Sequence, residues 1–501
     1  MRHSIRTRGK DNCGGRRPAG LGVSALAVRA ALVLFCALLF SLSGQAAGGQ
    51  PNFIFFLTDD ISPDDLGCYG NPIIKTPNLD RMAAGGLVFD NAYLTISSCS
   101  PSRCSMITGR YPHNTGAPEL HTELPADQWV YPEALMAAGY YTVLSGKHHM
   151  GDAVNRAFHK VSLGGGPGSE GDWVEILHDR PKDKPFFFWF ASNDAHRPWQ
   201  HNWQAPEYDP DLIRVPPFLF DGPQTRQDLA EYYHEVSRTD TIAGDLMREL
   251  EWQGIAGDTY IIYIADNGRP FPRCKTRLYD SGIKTPLIIR RPGTIKPGRT
   301  MSLVSSIDIA ATILELAGLE KPASVQGVSL VPILKDPKAK VRDYAFAEHN
   351  WHVYQAHERM VRHGPWMYIR NAWPERMNRC VESDDQFPAG AEIWAARDRG
   401  VLRPEQMDIF LAPRPAEELY NVHADPHQIH NLAGRSHYDE VLKELRTVLD
   451  RWTEQTGDTV QKNPTPDRAP HRSGKRQIGE FPGAAAGAAK INHPGPVLAG
   501  R

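Results

Sequence analysis

The sequence predicts an α/β fold, with a large domain built on a mostly parallel central sheet between helices and a smaller C-terminal α+β domain. Four apolar runs rich in β-forming residues dominate the first two thirds of the chain: Phe53–Leu57, Tyr140–Leu144, Phe186–Ala191 and Tyr260–Ala265. They are continuous rather than alternating, as expected for strands that are covered on both faces. Helical patterns lie between and after these runs, and strands that alternate with helices favour an α/β sandwich.

Two helical patterns are clear in this first part. One extends from about Arg226 to Gln253 and stops at Gly254, and the other extends from Asp308 to Ala317. After about Lys340 the pattern changes, and the remaining segments predict a small α+β domain with short strands and one amphipathic helix. The predicted strands are Tyr344–Glu348, Trp366–Ile369 and Glu418–Tyr420, and the predicted helix is Tyr438–Thr456.

We therefore expect four regions: a signal peptide over residues 1–47, a catalytic domain over 50–340, an α+β subdomain over 341–460 and a disordered tail over 461–501. A basic start followed by an apolar stretch from about Leu21 to Leu42 is typical of a secretory signal, with cleavage near Ala46 or Ala47. The alternative is an uncleaved anchor, although the apolar run after Arg29 is short for a bilayer. We expect a secreted or periplasmic protein (lysosomal if eukaryotic), with no stable membrane insertion once the signal is removed.

Charge and cysteine content narrow the function further. The formal net charge is -2, so no basic surplus indicates a nucleic-acid partner or an anionic membrane. Two of the seven cysteines, Cys13 and Cys36, would leave with the signal. The five that remain resemble neither a zinc site nor a disulfide framework. At least one thiol therefore needs another explanation in an oxidising compartment.

Charged or imidazole groups follow each of the four predicted strands. The first strand leads into Asp59–Asp60, and the others lead into Gly146–His149, Asn193–His196 and Asp266–Gly268. Open parallel sheets place their sites at the carboxyl ends of the strands. We therefore expect one shared polar site, in preference to four unrelated loops that merely begin with polar residues.

The segment from Cys99 to Arg110 carries the most distinctive chemistry. Pro101 favours the first turn of a helix, so Cys99 would lie at or just before a helix N-terminus, where an anion is stabilised. Arg103 lies four residues further on and faces the same side. From the residues alone, this is a candidate low-pKa thiolate beside a cation, with an incidental thiol in a loop as the alternative.

The pattern Cys-x-Pro-Ser-Arg at 99–103, followed by Thr-Gly-Arg at 108–110, resembles the signature of the type I, formylglycine-dependent sulfatases of the alkaline phosphatase-like superfamily. The resemblance extends from Asn52 to about Ala433. It implies the sulfatase fold, a calcium ion, and conversion of Cys99 to formylglycine by a formylglycine-generating enzyme. A sulfated carbohydrate would be the substrate.

The resemblance also implies a ligand set for the metal. Asp59 and Asp60 match the family's first pair of calcium ligands, Asp266 and Asn267 match the second pair, and the modified Cys99 completes the site. Three carboxylates and an amide suit a hard cation such as calcium better than zinc. The alternatives are ordinary local roles, a helix cap for the first pair and a turn for the second.

Other residues match the family's catalytic and sulfate-binding positions. Lys147 and His149 fit its Gly-Lys-x-His-x-Gly motif, His196 matches the sulfate-binding histidine, and Lys275 matches the last cationic contact, although its local motif is loose. The resemblance thus implies that Cys99, Arg103, His149 and His196 are catalytic and that Lys147, Lys275, His196 and His121 bind substrate. A hydrated aldehyde at position 99 would attack sulfur, His149 would remove a proton to expel sulfate, and His196 or Lys275 would protonate the leaving atom.

Several segments are more similar to heparan N-sulfatases (sulfamidases) than to arylsulfatases, notably 97–103 and 266–272. The segments 116–121 and 348–352 also have counterparts there; lining the sugar pocket and joining the two domains are equally favoured roles for them. Three alternatives stay open: an O-sulfatase of another glycan, a phosphonate or phosphodiester hydrolase of the same superfamily, and a non-catalytic sugar-binding module if Cys99 is not oxidised. The sequence also leaves open whether the protein is a homodimer.

Overall fold

The strands that the sequence predicts lie together at the centre of one large sheet. The computed structural model describes residues 49–462, 464–467 and 490–498; the predicted signal peptide lies outside them. Eight strands form this sheet in the order β4-β3-β5-β1-β6-β7-β2-β8. They are β1 (Asn52–Thr58), β2 (Leu87–Tyr93), β3 (Tyr141–Gly146), β4 (Lys160–Ser162), β5 (Phe186–Ala191), β6 (Thr259–Ala265), β7 (Leu287–Arg290) and β8 (Gly298–Ser305).

The sheet is mostly parallel, as expected. Among the pairings of these eight strands, the two that β7 makes, with β6 and with β2, are antiparallel. The four predicted strands are the contiguous group β3-β5-β1-β6, and all three pairings among them are parallel. Their carboxyl ends therefore meet at one edge of the sheet, which is the geometry that the polar residues after each strand require.

Burial on both faces explains why these strands read as continuous apolar runs. In β1, Phe53, Phe55 and Leu57 belong to one buried cluster, whereas Ile54 and Phe56 belong to another on the opposite face. Each fully buried side chain of this size stabilises the fold by roughly 1.5–3 kcal/mol relative to exposure. A strand with an exposed face would instead alternate polar and apolar residues.

Helices pack on both faces of the sheet. The longest is Pro223–Trp252, close to the predicted 226–253, and the second predicted helix is Asp308–Leu316. The remaining helices before the C-terminal region are Pro77–Ala84, Cys99–Thr108, Pro112–Thr115, Tyr131–Ala137, Trp173–Asp179, Asp280–Ile283 and Val331–Lys335. In the part of the chain that the structure describes, no helix combines the length and apolar character needed to cross a bilayer.

The C-terminal region has the expected α+β composition. A four-stranded antiparallel sheet has the order β12-β11-β10-β9, and the helix Asp439–Thr456 packs on it through Trp452, whose ring stacks on Phe346. The strands are β9 (Tyr344–His349), β10 (Glu358–His363), β11 (Trp366–Asn371) and β12 (Glu417–Asn421). Strand β10 and the helix Pro388–Asp398 are additions to the predicted elements. The predicted boundary at 340/341 falls between Val331–Lys335 and β9, although the two sheets share a buried core.

Two segments of the predicted disordered tail lie against the folded body. Asn492 and Ile491 accept hydrogen bonds from Arg110 at 2.6 and 2.9 Å, and Pro466 accepts one from the Trp351 indole at 2.8 Å. The disordered tail over residues 461–501 stays a prediction from composition. Within the described residues, donors of the body bind the side-chain oxygen of Asn492 and the backbone carbonyls of Ile491 and Pro466.

Candidate active site

The four groups of polar residues predicted to meet do so at the carboxyl edge of the sheet. Backbone hydrogen bonds join them: the amide of Asp59 donates to Asp194 O at 2.8 Å, and that of Lys147 donates to Ala191 O at 2.7 Å. Gly146 permits the second contact, because a Cβ there would lie 2.0 Å from Ala191 O. The glycine of the Gly-Lys-x-His pattern is thus required by the close approach of β3 and β5.

A cluster of three carboxylates and one thiol that could hold a metal ion lies at this edge. Ligand atoms of Asp59, Asp60, Cys99 and Asp266 all lie within 4.8 Å of one another, and all four residues are buried. Asn267 is buried beside them; its Oδ1 has no hydrogen-bond partner among the residues that the structure describes, whereas its Nδ2 donates to Asp60. Asp60 holds a left-handed backbone conformation (φ 56°), which few residue types other than Gly, Asn and Asp adopt readily.

Three cationic side chains surround the carboxylates. The guanidinium of Arg103 contacts Asp266 Oδ2 at 2.8 Å and donates to the carbonyl of Lys147 at 2.7 Å. The Lys147 ammonium contacts Asp59, and the Lys275 ammonium contacts Asp60 at 2.8 Å. The site thus brings together positive and negative groups that share very little solvent, so their interactions are strong.

The carboxylates influence one another strongly. Burial and the neighbouring Asp59 raise the pKa of Asp266 to about 6. The pKa of Asp60 is also raised, by burial and by the charges of Asp59 and Asp266, against the opposing charge of Lys275. Burial acts in the same direction on Asp59, yet Lys147, His196 and Arg103 hold the pKa of that carboxyl well below its usual range.

These properties fit a bound hard cation. Three buried carboxylates whose charges oppose one another would be stabilised by a divalent ion, and the unpartnered Oδ1 of Asn267 offers a further neutral oxygen. An oxygen-rich set of this kind is the chemistry that calcium prefers. The residues present therefore fit the group that the sequence resemblance implies.

The helix Cys99–Thr108 begins at the cysteine, as the sequence predicts, with Ser98 as its N-cap. The Sγ atom lies 3.6 Å from Asp59 Oδ1. Burial and the charge of Asp59 raise the pKa of the thiol well above its ordinary value. The expectation of a low-pKa thiolate is therefore wrong: the helix N-terminus and Arg103 favour an anion, but burial beside a carboxylate opposes it more strongly.

His149 and His121, which lie 28 positions apart in the chain, are hydrogen-bonded to each other. His149 Nε2 lies 2.7 Å from His121 Nδ1. The Nδ1 atom of His149 is buried and has no hydrogen-bond partner within the described part of the chain. Burial and the charges of Lys147 and Arg103 lower the pKa of His149 to about 2, so its ring is neutral. The exposed His121 thus binds one ring nitrogen of His149, and the other nitrogen of His149 stays available.

His196 reaches the same edge from the end of β5. Its Nδ1 lies 2.6 Å from the carbonyl of Arg197. The surrounding protein and the charges of Lys147 and Lys275 lower the pKa of the ring to about 3, although part of it remains open to solvent. Arg197 itself is held by a bidentate ion pair with Asp228, at 2.6 and 2.7 Å, which fixes the segment that carries His196.

Two further side chains near the site, His352 and Glu382, are not among the site residues predicted from the sequence. His352 belongs to a segment singled out above, and its Nδ1 lies 2.7 Å from the Oγ of Ser98, the residue before Cys99. Glu382 is buried, with Oε2 unpartnered, and no motif indicates it. By contrast, Glu348 contacts His113 of the helix Pro112–Thr115 and so joins the two regions, whereas His349 contacts Glu358 of the neighbouring strand β10.

A separate cavity of about 440 Å³, lined by residues such as Tyr69, Asp280 and His427, holds none of the predicted site residues. The catalytic and ligand residues predicted from the sequence gather instead at the sheet edge. The structure thus brings Asp59, Asp60, Cys99, Arg103, Lys147, His149, Asp266, Asn267 and Lys275 into one site, with His121 in contact with His149 and His196 close to Lys147 and Lys275 in electrostatic terms.

Comparisons with known proteins give the family. The family model described as Sulfatase matches residues 51–170 and 171–319, and one described as N-sulphoglucosamine sulphohydrolase, C-terminal, matches residues 274–368. An ulvan-active sulfatase of Formosa agariphila is 28% identical over 464 residues, covering 82% of this chain and 76% of the relative. The N-sulphoglucosamine sulphohydrolase of Homo sapiens is 28% identical over 481 residues, covering 84% and 93%.

A solved structure shares the fold. It is a complex with the substrate D-glucosamine-2-N,6-O-disulfate, with a TM-score of 0.62 and 22% identity, and the match covers 81% of this chain and 98% of the other. The signature around Cys99, the arrangement of strands around it and the match over residues 51–319 agree with one another. The chain belongs to the sulfatase family, whose members hydrolyse sulfate esters or sulfamates.

Proposed function

We propose that this sulfatase hydrolyses sulfated carbohydrates, with N-sulfoglucosamine of heparan-type glycans as its preferred substrate, and that it uses calcium and a formylglycine made from Cys99. The observation that carries the proposal is the cluster of Asp59, Asp60, Asp266 and residue 99 at a helix N-terminus, with Lys147 and Lys275 beside it. A sulfate group is anionic and resists nucleophiles until its charge is neutralised.

Specific residues would bind the calcium ion and provide the formylglycine. Calcium would be bound by Asp59, Asp60, Asp266, Asn267 and residue 99, and it would supply positive charge next to the sulfate. A formylglycine-generating enzyme would act on Cys99 before the enzyme is active, and the modified side chain would supply the nucleophile. Arg103 would hold Asp266 in place through its contact at 2.8 Å.

The lysines would bind the sulfate. The pKa of Lys147 and that of Lys275 are both raised, despite burial, by the carboxylates they face, so both side chains carry a full positive charge. A preorganised cation in a buried site stabilises developing negative charge without the reorganisation that water would need. Lys147 and Lys275 would therefore orient the sulfate and lower the barrier to attack on sulfur.

The histidines would move the protons. His149 is neutral, and its free Nδ1 can accept a proton from the group at position 99, while His121 holds its other nitrogen. His196 or Lys275 would protonate the leaving oxygen or nitrogen. Lys275 is already protonated, and an anionic substrate beside His196 would raise the pKa of that ring from its low value of about 3.

The substrate class rests on different support. The C-terminal family match and the human relative are both named for N-sulphoglucosamine sulphohydrolase. An ulvan-active relative is equally identical at 28%, so an O-sulfatase of another glycan is the second candidate. A sugar-binding protein without turnover would follow if Cys99 stays unmodified in its host.

Comparison of kcat/KM on N-sulfoglucosamine, glucosamine 6-sulfate and a nitrophenyl sulfate tests the assignment. We expect N-sulfoglucosamine to be best, because binding energy from the sugar ring positions the sulfamate and is lost in the aryl substrate. A clear advantage for an O-sulfated sugar would replace the N-sulfatase proposal and keep the sulfatase one. N-terminal sequencing of the exported protein would test the proposed signal peptide over residues 1–47 and export itself.

A further inference from the structure

Glu382 is a buried carboxylate to which the mechanism above gives no role. Its exposed fraction is 4%, and its Oε2 is buried without a hydrogen-bond partner. Within the described residues it forms no ion pair, unlike the other carboxylates at the site. Burying an unpaired carboxylate is costly, so a side chain held in this way suggests a partner that arrives with a ligand.

The turn that carries Glu382 is fixed by its neighbours. Val381–Ser383 is a single helical turn, and the carbonyl of Ser383 accepts a hydrogen bond from the Trp394 indole at 2.7 Å. The next residue, Asp384, accepts hydrogen bonds from Tyr354 and Arg379, both at 2.6 Å. The backbone of this turn is therefore held by the protein before any ligand binds, which preorganises the segment that carries Glu382.

Two contacts place this turn at the active site. On one side, Tyr354 binds Asp384, and the carbonyl of Tyr354 accepts a hydrogen bond from His352, whose ring contacts Ser98 beside Cys99. On the other side, the ring of Phe387 packs against Arg197, next to His196. The turn thus lies between the segments that carry His352 and His196.

The electrostatics agree with this placement. Burial raises the pKa of Glu382, and the charges of Lys275 and then Arg197 act to lower it. Glu382 in turn is among the groups that raise the pKa of Lys275. Both cations have carboxylate partners, Asp228 for Arg197 and Asp60 for Lys275, and Lys275 is the one that acts more strongly on Glu382.

A carboxylate near a sulfate-binding lysine repels the sulfate unless a hydrogen-bond donor lies between them. We propose that Glu382 determines specificity: its Oε2 accepts a hydrogen bond from the hydroxyl or N–H next to the sulfate that is cleaved, and it excludes glycans with a second sulfate at that neighbouring position. This inference rests on the proposed function, because it assumes that Lys275 binds the sulfate. A sugar that lacks the donor would leave the buried carboxylate unpaired, and a second sulfate would meet it as a like charge.

The test compares wild type with Glu382→Gln, which keeps the shape and removes the charge. The matched control is Glu375→Gln, because Glu375 is an exposed residue of the same connecting segment. The substrates are N-sulfoglucosamine and its 3-O-sulfated counterpart, or the best sugar of the panel and its counterpart with a vicinal second sulfate. We expect wild type to favour the monosulfated sugar, and Glu382→Gln to reduce the ratio of kcat/KM between the two by about tenfold or more, since a hydrogen bond to a charged group is worth roughly that factor.

Glu375→Gln should leave the ratio unchanged. Equal losses on both sugars in Glu382→Gln, with an unchanged ratio, would mean that Glu382 only supports the local structure and would overturn the inference. Calorimetry measures the affinities of both sugars for the Cys99→Ala protein, with and without Glu382→Gln. The ratio of the two Kd values then reports the same preference without turnover. Binding of neither sugar to Cys99→Ala would overturn the proposed function along with the inference, whereas binding with an unchanged ratio overturns the inference alone.

Discussion

The guanidinium of Arg103 contacts the carboxylate of Asp266 through two nitrogens, with Nε and Nη2 each 2.8 Å from Oδ2. Both side chains are fully buried, and Arg103 lies one turn after Cys99 on the same helix. The pair thus links the helix that carries the cysteine to the end of β6. It also supplies positive charge to a cluster in which Asp59 and Asp266 repel each other.

Replacement of Arg103 by Met should destabilise the protein by about 3–5 kcal/mol, because it leaves buried carboxylates without their cation. Arg103→Lys should recover part of this loss, since it restores the charge without the two nitrogen contacts to Oδ2. Urea unfolding measured with a chelator present gives the change in the free energy of unfolding. Arg156→Met is the control, because Arg156 forms an ion pair with Glu133 at the surface. Equal effects of the two Met variants would show that the Arg103 pair does not hold the site.

Removal of one ligand should abolish metal binding. In wild type, calcium at about 100 times its Kd should stabilise the fold by about 2.7 kcal/mol, read as a rise in Tm. Asp266→Asn should lose this rise together with turnover. Asp64→Asn should keep both, because Asp64 lies on the same loop as Asp60 but outside the ligand cluster. A calcium-dependent rise in Tm that survives in Asp266→Asn would contradict the ligand assignment.

Cys99 should carry an aldehyde in active protein. Mass spectrometry of the tryptic peptide from Met82 to Arg103 should find formylglycine in place of the thiol. The next peptide, from Cys104 to Arg110, is an internal control, because Cys104 is equally buried in the same helix and should keep its thiol. An active preparation in which Cys99 is entirely a thiol would eliminate the proposed nucleophile.

Much of this site could be predicted because its signals are local in sequence. Each group of ligands directly follows a buried strand, and strand ends in a parallel sheet converge without any knowledge of side-chain packing. The start of the helix at Cys99 is likewise predictable from Pro101. The pKa of the thiol is not, because it depends on burial and on Asp59, which lies 40 residues away and in contact with the thiol only in the folded chain.

Strand β10 and Glu382 show what sequence patterns leave out. The segment Glu358–His363 has only two apolar residues, Met360 and Val361, yet Glu358 and Arg359 are buried in ion pairs with Arg277 and Asp458. Those partners lie 81 and 99 residues away along the chain. A charged residue considered by itself predicts an exposed position. Glu382 has the same character: only the folded turn places it beside the site.

Acid should destabilise the protein through its buried neutral histidines, and His357 and His349 are two of these that lie outside the predicted site residues. Burial lowers the pKa of His357 to about 3 and that of His349 to about 4, against about 6.5 in the unfolded chain. Below about pH 6.5 these two histidines therefore bind protons in the unfolded chain but stay unprotonated in the folded chain. Stability is fully present above that pH and falls by roughly 1.4 kcal/mol per pH unit for each histidine, until the pH reaches its folded pKa.

Urea unfolding between about pH 6 and pH 4.5 measures this slope. His357→Asn should reduce it by the contribution of one proton, whereas the same substitution at the exposed His423 should not. A slope that is identical in wild type and His357→Asn would show that His357 is not held in its neutral form.

A methyl group added at Gly495 should detach the segment 490–498 from the folded body. Gly495 has φ 76°, and a Cβ there would lie 2.4 Å from Cδ1 of Trp452. Gly434 is a matched control with φ 81° and no atom within 4 Å of the position that a Cβ would take, so Gly434→Ala reports the backbone cost alone, about 1–2 kcal/mol. Gly495→Ala should add the loss of the contacts that Arg110 and Tyr111 make with Asn492 and Pro494.

We expect Gly495→Ala to lower Tm more than Gly434→Ala does and to expose the residues around 490–498 to limited proteolysis, because displaced carbonyls no longer satisfy buried donors of the body. Activity on the best sugar should stay near that of wild type, since Gln326 and Arg110, which bind this segment, are not among the site residues. Equal proteolysis of the two variants and of wild type would mean that the segment is not held against Trp452, and the expectation of a disordered tail would then stand for these residues too.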